Sequence, residues 1–114
     1  MTLQEGLQVI LGSQMSSIEF VQDYVQLRFD GPCLTAHTRP TVSASGTTFR
    51  WSEAGYRDVL CGRIAKKVVR ADVSASAIAI GFEDGAEIQV SLSKADYRGP
   101  EAAMFTSNDG TWVI

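Results

Sequence analysis

The side chains best suited to covalent chemistry in this chain are Cys33 and His37, a thiol and the single histidine, four positions apart. A thiolate activated by imidazole is a working nucleophile, but the pair must approach to roughly 2.6–3.2 Å. Both residues fall on one face of an expected strand with Thr35 between them, and four residues of strand span about 13 Å. That separation excludes a direct hydrogen bond. Cys33 also follows Gly31-Pro32 in a turn, where a small residue serves backbone geometry. The second thiol, Cys61, stands on an expected helix beside Arg63, whose charge favours a thiolate. A buried structural thiol is the expectation for it.

Other chemistries find less support. No two carboxylates have the spacing of a paired acid and base. Asp30, Glu83 and Asp84 stand in hairpin turns, where bonds to local backbone explain them. The glycines lie at helix ends and hairpin tips rather than between a strand and a helix, so no phosphate-cradling loop is formed. Two cysteines and one histidine do not make a structural zinc site. No catalytic residue, metal ligand or cofactor is therefore expected.

Recognition is better served. Trp51, Tyr97, Arg98 and Trp112 are of the residue types that dominate interface hot spots. Trp112 reads as an anchor pinning the last strand to the core. The segment Tyr97-Arg98-Gly99-Pro100-Glu101 presents two charges on a rigid turn, either to a partner or to each other as an ion pair. Trp51, Tyr97, Arg98 and Glu101 are the candidate binding residues.

The elements that must position them follow from periodicity. Thr2-Leu3-Gln4-Glu5 has capping-box form, and Leu3, Leu7, Ile10 and Leu11 then mark one face of a short helix ended by Gly12. A second helix is expected from Ser52 as N-cap, with Tyr56, Val59, Leu60 and Ile64 as its buried stripe and Gly62 in the role of Gly12. After each helix the apolar period changes from about four to two. Ile18 and Phe20 alternate with polar neighbours, as do Val25, Leu27 and Phe29, then Ile78, Ile80 and Phe82, then Ile88, Val90 and Leu92. Asp84-Gly85 signals a type I′ hairpin with both residues at positive φ. Further hairpins are expected around Gly46 and around Asn108-Asp109-Gly110, and residues 93–101 read as a loop.

These patterns predict an α+β domain with a mostly antiparallel sheet or sheets and two short helices, spanning 1–114 as a single unit. They also double. Ile10-Leu11-Gly12 answers Leu60-Cys61-Gly62, and Val25, Leu27 and Phe29 answer Ile78, Ile80 and Phe82. Gly31 answers Gly85, and Leu34 and Ala36 answer Ile88 and Val90. Two pseudo-symmetric helix-plus-hairpin repeats are expected, about 2–51 and about 52–92, followed by a C-terminal hairpin of about 101–114. The doubled pattern resembles a family of small uncharacterised bacterial proteins with L-x-G-x-x-V followed by L-x-L-x-F-x-D/N-G-x-x-L-x-V in two copies. The stretch Leu60 to Leu92 carries it most fully, and Gly99-Pro100-Glu101 with the Trp112-Val113 ending is similar too. The resemblance implies shape more than role, and assigns no residue a function. Small acidic bacterial proteins of this kind often partner another protein, including immunity proteins that neutralise toxins.

Composition narrows the partners. A formal net charge of −3 argues against nucleic acid. No apolar run reaches the roughly 18–20 residues of a membrane span, and the N-terminus lacks the form of a signal peptide. A cytoplasmic location with free thiols is expected. The chain thus reads as a non-enzymatic interaction protein, of immunity or accessory type, whose partner is another protein. Open sheet edges make a homodimer a further expectation. The alternative is a small-ligand module with a pocket between the two repeats.

Overall fold

Thr2 closes the capping box that its spacing to Glu5 predicts. Its hydroxyl accepts from the Glu5 amide at 3.1 Å, and the Glu5 carboxylate accepts from the Thr2 amide at 2.8 Å. The computed structural model, which describes residues 1–114, then places helix α1 at Leu3–Leu7, continued by a 3-10 turn at Gln8–Ile10. Leu7 and Ile10 are buried and Gly12 has the left-handed φ of +82° expected of a helix stop. Leu11, expected on the buried face, is exposed instead, because the tighter 3-10 winding rotates it outward. Gly6 has no room for a side chain: a Cβ there would lie 2.5 Å from the Trp112 indole. Helix α1 is thus pressed onto the last strand through a missing methyl group, and Trp112 packs against the core as the anchor it was expected to be.

Helix α2 spans Tyr56–Cys61 and begins later than the Ser52 cap predicts. Ser52 has a φ of +72° and Gly55, the residue before the helix, one of +86°, so residues 52–55 wind through turns before the helix can start. Tyr56 and Leu60 form the buried stripe; Ile64 lies beyond the helix and is exposed. Cys61, expected to be buried, is exposed, since a residue next to buried Leu60 turns about 100° away from the core. Gly62 keeps a right-handed φ of −64°, and the left-handed residue after this helix is Ala65 at +72°. A Cβ at Gly62 would lie 3.2 Å from the Val59 carbonyl oxygen, tight but not excluded.

Ten strands occupy the period-two segments and their flanks: β1 (Ser17–Val21), β2 (Tyr24–Arg28), β3 (Cys33–Ala36), β4 (Thr41–Ala44), β5 (Thr47–Phe49), β6 (Val68–Val73), β7 (Ala77–Phe82), β8 (Glu87–Ser91), β9 (Ala103–Ser107) and β10 (Gly110–Val113). They form two antiparallel five-stranded sheets, β1-β2-β3-β9-β10 and β5-β4-β8-β7-β6. The fold is α+β. Each sheet consists of a three-stranded meander and a hairpin: β9–β10 from the end of the chain completes the first, and β4–β5, just ahead of α2, completes the second. Advancing β1, β2 and β3 by five and moving β9 and β10 back by five converts the order of the first sheet into that of the second. The connections that carry the chain across are 37–40, between β3 and β4, and 92–102, between β8 and β9. The second contains a 3-10 turn at Lys94–Asp96 within the expected loop.

The turns differ from expectation in one pair. Positive φ at both central residues occurs at Asp30-Gly31 and at Ser45-Gly46, whereas at Asp84-Gly85 only Gly85 is left-handed, with φ +87°. The Gly85 amide donates to the Phe82 carbonyl, and the Phe82 amide to that of Ala86. The extra residue in this loop makes it a type I turn closed by a left-handed glycine.

Both sheets turn their apolar alternations onto one core. Val25, Leu27, Leu34 and Phe105 from the first meet Val42, Ile78, Ile80, Phe82, Ile88 and Val90 from the second in a single buried cluster. The segments that follow the two helices pair with each other across the middle of the molecule. The Gly12 amide donates to the Val68 carbonyl at 2.9 Å, and the Ala65 amide to that of Met15 at 2.7 Å. No helix is long and apolar enough to cross a membrane.

Candidate functional site

The outer face of the second sheet, left uncovered by either helix, is where strand register makes an unusual surface. Thr41 lies opposite Gln89 and Ser43 opposite Thr48, so alternate positions of β4, β5 and β8 present hydroxyls and an amide outward. With Ser76, Ala77 and Ser91 they floor an open groove of about 730 Å³. Arg39, Arg50, Trp51 and Arg98 line it, together with Asp96. Arg39 comes from the first crossover connection, Arg98 from the second, and Arg50-Trp51 from the end of β5. The two points where the chain changes sheets therefore deliver Arg39 and Arg98.

Trp51 is the centre of this cluster. The Arg39 guanidinium lies 4.0 Å from its ring centroid and that of Arg57, from α2, lies 5.6 Å away. Tyr56 meets the indole edge-on at 5.7 Å. The Tyr56 hydroxyl donates to the Pro40 carbonyl at 2.5 Å, which ties α2 to the chain just before β4. Burial pushes this phenol up to about 12, although the charges of Arg39 and Arg57 pull it back. Arg98 is held from below, its Nη1 donating to the Asp23 carbonyl at 3.3 Å.

The distribution of ion pairs sets these arginines apart. Of the seven in the chain, Arg28, Arg63 and Arg70 each bridge to a carboxylate. Arg39, Arg50, Arg57 and Arg98 bridge to none, and all four gather around Trp51 and its groove. The one carboxylate lining the groove, Asp96, accepts from the Ser91 hydroxyl at 2.6 Å. Such a surface has the charge and donors to suit an anion. Guanidinium groups keep their charge throughout the physiological range and present paired donors to planar oxyanions.

Of the four expected binding residues, the fold brings together Trp51 and Arg98. Glu101 does not pair with Arg98. It faces His37, with 3.8 Å between the His37 Nε2 and its carboxylate, across a second hollow that Arg98 and Asp23 also line. Tyr97 is half-buried beneath Lys94, whose ammonium lies 4.7 Å from its ring, and it lines neither hollow. Arg39, Arg57 and the hydroxyl floor were not singled out from sequence. A signal for Arg39 existed: a two-residue turn at Ser45-Gly46 puts Thr41 opposite Arg50 and so brings Arg39 beside Trp51. Cys33 lies 3.9 Å from the Thr35 hydroxyl, on a strand of the other sheet. No group of three His, Cys, Asp or Glu side chains is placed to hold a metal ion.

No family model, curated protein or solved structure matches the chain. The groove must be read from its own chemistry.

Proposed function

We propose that this is a non-enzymatic interaction protein, of immunity or accessory type, which holds another protein against the outer face of its second sheet around Trp51. The observation that carries this reading is the gathering of all four unbridged arginines at one tryptophan. Tryptophan and arginine are the residues on which interface energy concentrates. The groove is open and its only apolar lining is Trp51 and Ala77, whereas small-molecule pockets are mostly enclosed and apolar. The reading includes a cytoplasmic setting and kinship with the small bacterial proteins whose doubled motif the sequence resembles. A small anionic ligand in the same groove is the second reading, favoured by a volume within the usual range of about 300–1,000 Å³.

The repeat belongs to the same proposal. The cyclic shift of five that interchanges the strand orders supports two copies of one unit, about 2–51 and about 52–92, with the separate C-terminal hairpin β9–β10 standing to the second sheet's meander as β4–β5 stands to the first sheet's. Separately expressed fragments divided at the exposed turn Ser52–Gly55 are then expected to reassemble on mixing, and fragments that stay unfolded together would sink the duplication.

The function is tested by capture from source lysate with wild type and with Arg50→Glu/Arg98→Glu. A stoichiometric protein retained by wild type and lost from the variant is the expected result. A partner retained equally by both would move the interface elsewhere.

A further inference from the structure

Resting on that reading, we infer that the groove receives a carboxylate-rich segment of the partner chain, laid across strands β5, β4, β8 and β7. The groove's charge is positioned but not neutralised. Arg39 is stacked on Trp51, and Arg98 is tethered to a backbone carbonyl rather than to an acid. A carbonyl acceptor and an indole face both orient a guanidinium while leaving its remaining donors free. A cation needed only for solubility has no reason to be held in this way.

The rest of the molecule points to the same occupant. Apart from these four arginines the chain carries six Lys and Arg against thirteen Asp and Glu. A long polyanion such as nucleic acid would run off the patch onto repelling surface, while a short acidic stretch would stop at its edges. Four strands at a spacing of about 4.8 Å span about 14 Å, enough for some four extended residues. Over that length Arg50 and Arg98 offer bidentate contacts to carboxylates, and the Thr41 hydroxyl and the Gln89 carbonyl oxygen offer neutral partners to the intervening backbone. The Ser43 and Ser91 hydroxyls and the Gln89 amino group are bonded to Thr48, Asp96 and Glu87.

The probe is a synthetic Glu- and Asp-rich peptide, titrated into the intact ¹⁵N-labelled protein. Its Gln/Asn counterpart, a single-stranded oligonucleotide, inorganic phosphate and malonate are titrated in parallel. The acidic peptide is expected to shift the amides of Arg39, Thr48, Arg50 and Gln89, with affinity falling as salt is raised. Arg50→Glu/Arg98→Glu should weaken it by at least about tenfold, and Lys66→Glu/Lys67→Glu should leave it unchanged. Equal binding of the neutral peptide, or shifts centred on Lys66 and Lys67, would overturn the proposal. Phosphate or oligonucleotide binding as tightly at the same amides would make it a phosphate site. Malonate doing so would make it a site for a free small acid. If the peptide fails to bind while capture from lysate still depends on Arg50 and Arg98, the acidic segment is wrong and the interaction reading stands. If that dependence is lost too, both fall.

Discussion

Two arginine environments in this molecule use the same side chain for opposite purposes. Arg63 is 7% exposed, and its Nη1 donates to both oxygens of Asp84 at 2.7 and 2.8 Å. Its guanidinium lies 5.4 Å from the Phe82 ring. Around Trp51 the guanidiniums of Arg39 and Arg57 are also near aromatic rings, but with no acid to satisfy them. The first arrangement latches the end of α2 to the β7–β8 turn; the second leaves charge available. What distinguishes the latched arginine from those around Trp51 is the counter-ion, not the packing.

Substitutions should separate the two regions. The largest effect is expected for Arg63→Ala, which strips Asp84 of its partner and empties a buried site. A loss of about 2–3 kcal/mol in urea unfolding is expected, chiefly from the packing of a nearly buried side chain, since Asp84 keeps contact with solvent. An unchanged midpoint would show the latch to be ornamental. The same latch has an acid signature. The hydrogen bond from Arg63 holds the Asp84 carboxyl below the usual range. The stability it carries is present above the ordinary carboxylate pKa and is lost as pH falls through the lowered value. Arg63→Ala should therefore flatten the acid limb of the stability profile.

Next in size is Gly85→Val, which places a β-branched residue at φ +87° in the turn that the latch secures. About 2 kcal/mol should be lost, and a wild-type midpoint would refute the turn geometry. Tyr56→Phe removes the bond to Pro40 beneath the Trp51 cluster and should cost about 1 kcal/mol. Because the folded phenol titrates near 12 and an unfolded one near 10, its contribution is complete below about pH 10 and declines as pH approaches 12. The variant should lack that alkaline decline; if it keeps it, another group is responsible. Smallest of all, Arg50→Ala and Arg98→Ala should change stability by no more than about 0.5 kcal/mol. A larger loss from either would erase the contrast between the two regions.

The same contrast explains what could be read from the chain. Helix α1 was legible because its cap is local, Thr2 and Glu5 being three residues apart. Strands β7 and β8 were legible because Ile78, Ile80, Ile88 and Val90 alternate cleanly. The start of α2 was not, since Ser52 and Glu53 have the residue types of a cap and only the left-handed Gly55 reveals the delay. Trp51 and Arg98 were marked by type alone. Their meeting depends on which sheet each hairpin joins, a choice that short-range pattern does not encode. Arg63 reads from sequence as a neighbour of Cys61 and not as a latch, because its partner Asp84 is distant in sequence and is accounted for by its own turn.

The exchange of hairpins between sheets also bears on how the chain is made. Strand β3 has its outer neighbour in β9, and Ala102 and Ala103 are bonded in turn to Ile114. While the chain is emerging from a ribosome, the first meander and its helix can gather, but the edge of β3 stays bare until β9 and β10 have been synthesised. Contacts of such long sequence separation slow folding and favour a single late closure over stepwise assembly. During that interval the uncovered edge offers unpaired amides and carbonyls to any neighbouring nascent strand. The molecule's period of greatest exposure to misassembly therefore falls before its last hairpin arrives.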